Sequence, residues 1–144
     1  MAFLGTYEHS LDAKGRIVLP AKLRPQFAAG CVLARGQDRC LFLFTTDQWA
    51  HFTERFGESR VTSQQRRNYE RLLFSGATEE VPDGQGRVTI AEPLRRYAGL
   101  QRDVALIGAG SRMEIWDRQT WEQVRGQLEE QYAQLTESHP DLPV

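Results

Sequence analysis

A β-dominated α+β fold built from two copies of one small unit is what this sequence predicts, and three observations predict it. "SLDAKGRIVLPAKLR" (residues 10–24) and "VPDGQGRVTIAEPLR" (residues 81–95) carry an acidic residue, a glycine and an arginine at the same spacing. Each D-x-x-G-R turn lies between apolar or alternating runs too short for helices, and each leads into a P/A-x-x-L-R segment. Longer stretches with helical periodicity follow, so strands come first and helices flank them.

The repeat extends well beyond the turns. Asp12 matches Asp83, Gly15 matches Gly86, Arg16 matches Arg87, Leu23 matches Leu94 and Arg24 matches Arg95, all at an offset of 71 residues. After a one-residue adjustment the offset is 72: Val32 with Val104, Gly36 with Gly108, Leu43 with Ile115, Phe44 with Trp116 and Trp49 with Trp121. Agreement over nearly the full length of each half means duplication.

Each half then reads in the same order. "LGTYEHSL" or "GATEEVP" is an extended run entering the turn, and "RIVL" or "RVTI" leaves it as a strand. The Asp side chain can accept from backbone N–H groups two or three residues on, and Gly supplies a positive φ, which predicts a hairpin with a glycine bulge. "PAKLRPQF" or "AEPLRRYA" reads as a short helical turn with proline near its start, the first cut short by Pro25. Strands "CVLAR" and "CLFLF" follow in the first half, "DVALIG" and "RMEIW" in the second, and a helix opens at Thr46 or Asp117. Four short strands cannot bury both faces of a sheet, so neither half stands alone.

Between the halves, "TSQQRRNYERLLFSGA" predicts a helix capped at Thr62 or Ser63, with Tyr69, Leu72 and Leu73 inward. The last helix sets Trp121, Val124, Leu128, Tyr132 and Leu135 on one apolar stripe, a core or helix–helix contact. The tail "ESHPDLPV" is expected to fray. The divisions expected are a first domain over 5–49, a linking helical segment over 50–75, a second domain over 76–121, and a C-terminal helix and tail over 122–144.

Composition narrows the function. With 144 residues, 40% hydrophobic and 26% charged, the chain can build one core. No window has the length of an apolar membrane span and the N-terminus lacks a signal pattern, so a cytoplasmic protein is expected. Cys31 and Cys40 lie in apolar runs without a Cys/His cluster, which predicts two buried thiols and no zinc site. Of the 18 basic residues only Lys14 and Lys22 are lysine, and arginine forks carboxylates, phosphates and guanine edges as lysine cannot. A net charge of −1 excludes a globally basic nucleic-acid binder but not a local basic patch.

Catalytic chemistry has little to draw on. His9, His51 and His139 fall at unrelated places in the repeat, and no Ser or Cys sits in a nucleophile elbow. "GAGSR" and "DGQGR" contain G-x-G without the lysine or long helix of a phosphate-cradling loop. Asp12 and Asp83, at equivalent turn positions, read as structural acids. Neither enzyme, cofactor, metal nor small-molecule substrate is expected. Binding is better supplied: a turn presenting Lys14 and Arg16, with Lys22 and Arg24 just after, is a compact cationic patch. A ribbon can enter a major groove, where a fixed arginine pairs bidentately with guanine.

In "LDAKGRIVLPAKLR", "LFLFTTDQW", "RLLFSGATEEVPDGQGR", "RRYAGL" and "RMEIWDRQTWE", from about Phe3 to Trp121, the chain resembles the MraZ family of bacterial transcriptional regulators, which has two SpoVT-AbrB-type domains. The resemblance implies a duplicated swapped-hairpin (AbrB/double-psi-like) barrel with flanking helices and a pseudo-two-fold axis within one chain. It implies several chains closing into a ring on the nucleoid. The ring's partner is double-stranded DNA, at short direct repeats in the promoter of the division and cell-wall operon. Carried over by position, the DNA-contacting arginines are Arg16 and Arg87, with Asp12 and Asp83 as their motif partners. Beside that carry-over, the cationic patch offers Lys14, Lys22 and Arg24 as DNA contacts, the repeat adds Arg95, and Gly15 and Gly86 support the turns. The second copy is less cationic: Gln85 replaces Lys14, Ala91 replaces Pro20, and Glu92 and Pro93 stand where Ala21 and Lys22 do. The first turn is therefore expected to lead. An antitoxin-like protein-interaction module on the same barrel is the alternative, although such relatives carry one hairpin domain and a disordered inhibitory tail.

Overall fold

The computed structural model describes residues 2–57, 63–135 and 141–142. The strands are β1 (Thr6–Ser10), β2 (Arg16–Val18), β3 (Cys31–Arg35), β4 (Leu41–Thr45), β5 (Thr78–Glu80), β6 (Arg87–Thr89), β7 (Asp103–Gly108) and β8 (Met113–Asp117). Among the described residues the helices are α1 (Arg24–Phe27), α2 (Thr46–Thr53), α3 (Gln64–Gly76), α4 (Glu92–Tyr97) and α5 (Arg118–Ala133). This is the expected α+β, strand-rich architecture.

The strand partners cross between halves. A six-stranded antiparallel sheet runs β1-β7-β8-β4-β3-β5, and β2 pairs with β6 in a separate ribbon. Thus β1 lies on β7 (Tyr7 opposite Leu106) and β5 lies on β3 (Glu79 opposite Val32). The central pair β4–β8 (Phe42 opposite Glu114) also joins the halves. This corrects the expected hairpin. Asp12 N–H donates to Arg16 O at 2.9 Å, closing the turn, but β1 and β2 then part and each finds its ladder in the other half. Three residues of β2 are too few to hold a two-stranded hairpin, whereas the exchange lets both halves share one core.

Alternation explains the layers. Along β4, Leu41 and Leu43 point into a core closed by Ile17, Leu19, Val88 and Ile90 from the ribbon segments and by Phe27 and Leu94 from α1 and α4. Phe42 and Phe44 point to the opposite face, where Trp49 and Phe52 of α2 and Trp121 and Val124 of α5 cover them. A strand buried on both faces must be apolar throughout, and "LFLF" is. Cys31 and Cys40 are buried free thiols, as expected.

Helix ends follow local chemistry. Thr45 caps α2 by accepting from Gln48 N at 3.1 Å, Ser63 caps α3 by accepting from Arg66 N at 3.1 Å, and Asp117 caps α5 by accepting from Thr120 N at 3.0 Å. The alternative cap Thr62, His139 and most of the tail expected to fray lie outside the described residues.

Two helical expectations need correction. Pro25 sits in the first turn of α1 instead of ending the helix, because its missing N–H has no partner to lose there. On α3 only Leu73 is buried; Tyr69 and Leu72, also expected inward, are 37% and 51% exposed, because one helix face meets β3 and Leu72 is about 100° away from Leu73.

Candidate nucleic-acid interface

Both D-x-x-G-R turns close by the same bonds. Asp12 Oδ1 accepts from the backbone N–H groups of Lys14 and Arg16, both at 2.9 Å, and Oδ2 accepts from Arg16 Nε at 2.7 Å. Asp83 Oδ1 accepts from Gln85 and Arg87 N–H, both at 2.9 Å, and Oδ2 accepts from Arg87 Nε at 2.6 Å. The side chain thus reaches donors two and four residues on, because the glycine adds a residue to the turn. Gly15 and Gly86 hold φ of 74° and 76°, which a β-carbon disfavours.

These bonds set the electrostatics. The Arg16 backbone N–H, with its guanidinium and the Lys14 N–H, holds the Asp12 carboxyl below its usual range. The Arg87 backbone N–H, followed by its side chain, pushes Asp83 down to about 2. Both acids are anions at neutral pH and fix the arginines through Nε alone. Among the described residues no hydrogen bond engages the Nη nitrogens of either arginine, and these are the donors that fork a guanine edge or a phosphate.

The ribbon brings the two arginines together. Arg16 stands opposite Thr89 and Arg87 opposite Val18, with Ile17 opposite Val88 between them. Ile17 and Val88 are buried, so Arg16, Val18, Arg87 and Thr89 share the outward face. The arginines occupy diagonal positions on that face, roughly 7–8 Å apart at Cα. Thr89 and Val18 are residues of this surface that the sequence reading missed. The repeat offset and the alternation placed them outward, but only the β2–β6 pairing puts them beside the arginines.

The remaining expected residues divide. Lys14 is exposed at the tip of the first turn and Lys22 is exposed just before α1. Arg24 and Arg95 are half-buried: Arg24 Nε donates to Leu19 O at 2.9 Å, and Arg95 Nη1 donates to Ile90 O. The turns are also tied across the halves, Leu19 N–H donating to Gly86 O at 2.8 Å and Ile90 N–H to Gly15 O at 2.9 Å. Elsewhere burial pushes the Cys31 and Cys40 thiols up to about 12, far from nucleophilic. Among the described residues no group of three His, Cys, Asp or Glu side chains converges as a metal site would require, and no helix is long and apolar enough to cross a membrane.

The family model described as "MraZ protein, putative antitoxin-like" matches the chain twice, over residues 2–72 and 73–140. A protein of Arthrobacter sp. (strain FB24) named transcriptional regulator MraZ is 48% identical over 97% of this chain and 99% of its own length. One of the same name from Kocuria rhizophila is 50% identical over 97% of this chain and 96% of its own, and one from Micrococcus luteus is 49% identical over the same shares. Matched in both halves, and about half identical to these regulators along nearly its whole length, the chain belongs to the MraZ family.

Proposed function

We propose that the chain is a transcription regulator that reads double-stranded DNA with the outward face of its β2–β6 ribbon. The observation that carries this is the pair Arg16 and Arg87, each anchored by its own aspartate and set diagonally on one face. Anchoring at Nε holds each guanidinium in place and leaves its Nη donors for DNA, so little side-chain freedom is lost on contact. Lys14 and Lys22 supply phosphate contacts beside the first turn. The relatives' name is that of regulators, not of enzymes.

The finer reading follows the resemblance. The crossed strand pairing supports a swapped-hairpin barrel, with residues 5–49 and 76–121 as its two repeat domains. Leu128 and Tyr132 on α5 and Leu72 and Phe74 on α3 are exposed, apolar surface that a ring of several chains would cover. A ring presents one modest cationic face many times, so tandem direct repeats in the promoter of the division and cell-wall operon are bound by avidity, without a basic chain. The protein then works in the cytoplasm, on the nucleoid.

The test is an electrophoretic shift with DNA upstream of the protein's own operon against a scrambled control. A shift confined to the promoter DNA supports the reading, and equal or absent shifts of both overturn it. The antitoxin-like wording of the family description favours a second reading, a protein-binding module; that reading gains if a protein partner is retained and DNA is not.

A further inference from the structure

Arg24 and Arg95 occupy matched positions, and each lies against the turn of the opposite half. A β-carbon built on Gly86 would stand 2.5 Å from Arg24 Nε and 2.8 Å from Arg24 Cδ. A β-carbon on Gly15 would collide in the same way with the guanidinium of Arg95. Each arginine is held there by the backbone it springs from, Arg24 by Leu19 O and Arg95 by Ile90 O. Those same residues donate across the halves, Leu19 N–H to Gly86 O and Ile90 N–H to Gly15 O. A peptide bond and a planar guanidinium thus close on each glycine from one side, and both come from the other repeat.

From this arrangement we infer that Arg24 and Arg95 are positioning residues acting crosswise: Arg24 sets the turn that aims Arg87, and Arg95 sets the turn that aims Arg16. The repeat pattern suggests DNA contacts for both, but their inward-turned donors fit a latch better. The glycines serve two purposes here, since they supply the positive φ and leave room for the guanidinium. A further consequence is that neither turn is complete without the other half. The inference rests on the DNA reading for its functional part, while the latch itself can be tested without DNA.

The experiment combines hydrogen exchange with double-mutant cycles on the full chain. In Arg24→Ala the amides of Gln85, Gly86 and Arg87 should exchange roughly five- to tenfold faster, as expected for one lost hydrogen bond and its packing, while Lys14, Gly15 and Arg16 are unchanged. Arg95→Ala should give the mirror image. Arg24→Met, which keeps the aliphatic stem, carries the test should the alanine variant fail to fold. On promoter DNA, Arg24→Ala and Arg87→Ala should lose less together than the product of their separate losses, whereas Arg24→Ala and Arg16→Ala should multiply.

Equal exchange changes in both turns would make the arginines general scaffold and overturn the inference. Unchanged exchange, with multiplying losses in both pairs and a slope of log affinity against log salt shallower by about 0.9 per subunit, would make Arg24 a direct phosphate contact and overturn it too. Crossed exchange in a chain that binds no promoter DNA would sustain the latch and overturn only the DNA reading.

Discussion

Gly86→Ala and Gly84→Ala change neighbouring glycines of one turn, "DGQGR", and the structure predicts opposite results for them. At Gly86 the backbone φ is 76°, and holding alanine there costs about 1–3 kcal/mol. The new methyl also meets Arg24, which must swing away and give up its bond to Leu19 O, a further loss of about 0.5–1.5 kcal/mol. Together these come to about 1.5–4.5 kcal/mol, which for a chain of this size lowers the Tm by roughly 5–15 °C. At Gly84 φ is not positive and no neighbouring atom lies within 4 Å of a β-carbon, so alanine should stabilise through the unfolded chain alone, by about 0.4–1 kcal/mol. Thermal melts of both variants at one protein concentration make the comparison, since an assembling protein's Tm depends on concentration. Adding Arg24→Ala to Gly86→Ala should remove the collision but not the φ strain, so the pair should lose less than the sum. A Tm for Gly86→Ala within 2 °C of Gly84→Ala, roughly half a kcal/mol, would refute both the strained turn and the cross-half contact.

Arg16→Ala and Arg87→Ala should each weaken promoter binding by about 1–3 kcal/mol per site, roughly 5- to 150-fold, and relax preference at the contacted base with the fold intact. Their matched geometry predicts comparable losses; a much larger loss for Arg16 would restore the charge-based ranking of the first turn. Lys14→Ala should weaken binding to all DNA alike and flatten the salt dependence by about 0.9 in log–log slope per contacting subunit, read from a salt titration against a scrambled control. His9, half-buried on β1, is held below its ordinary 6.5 by burial and then by the charges of Arg118 and Arg24. Its unfolded form therefore takes the proton first, so its contribution to stability is complete above pH 6.5 and lost as pH falls through its folded pKa. Urea midpoints at pH 7.5 and 5.5 should show a smaller drop for His9→Gln than for the parent. Light scattering should give a mass several times 16.5 kDa, and a stable micromolar monomer would remove the ring.

What was legible in the sequence was local. The D-x-x-G-R turns, the caps at Ser63 and Asp117, the strand "CLFLF" and the buried cysteines depend on neighbours a few residues away, and their chemistry is written in consecutive positions. The candidate arginines were legible for the same reason, because the aspartate that anchors each lies four residues before it. The partners of β1 and β2 were not. Alternation says which face of a strand is buried, but any ladder of matching length satisfies its backbone donors and acceptors, so a hairpin and an exchange between halves look identical in one dimension. Only the shared core decides for the exchange, by setting Ile17 against Val88 and so placing Arg16 and Arg87 on one surface. The destinations of Arg24 and Arg95 were hidden likewise: each is a plain turn-following arginine until the other half's glycine, 62 residues ahead of Arg24 and 80 behind Arg95, is folded beneath it.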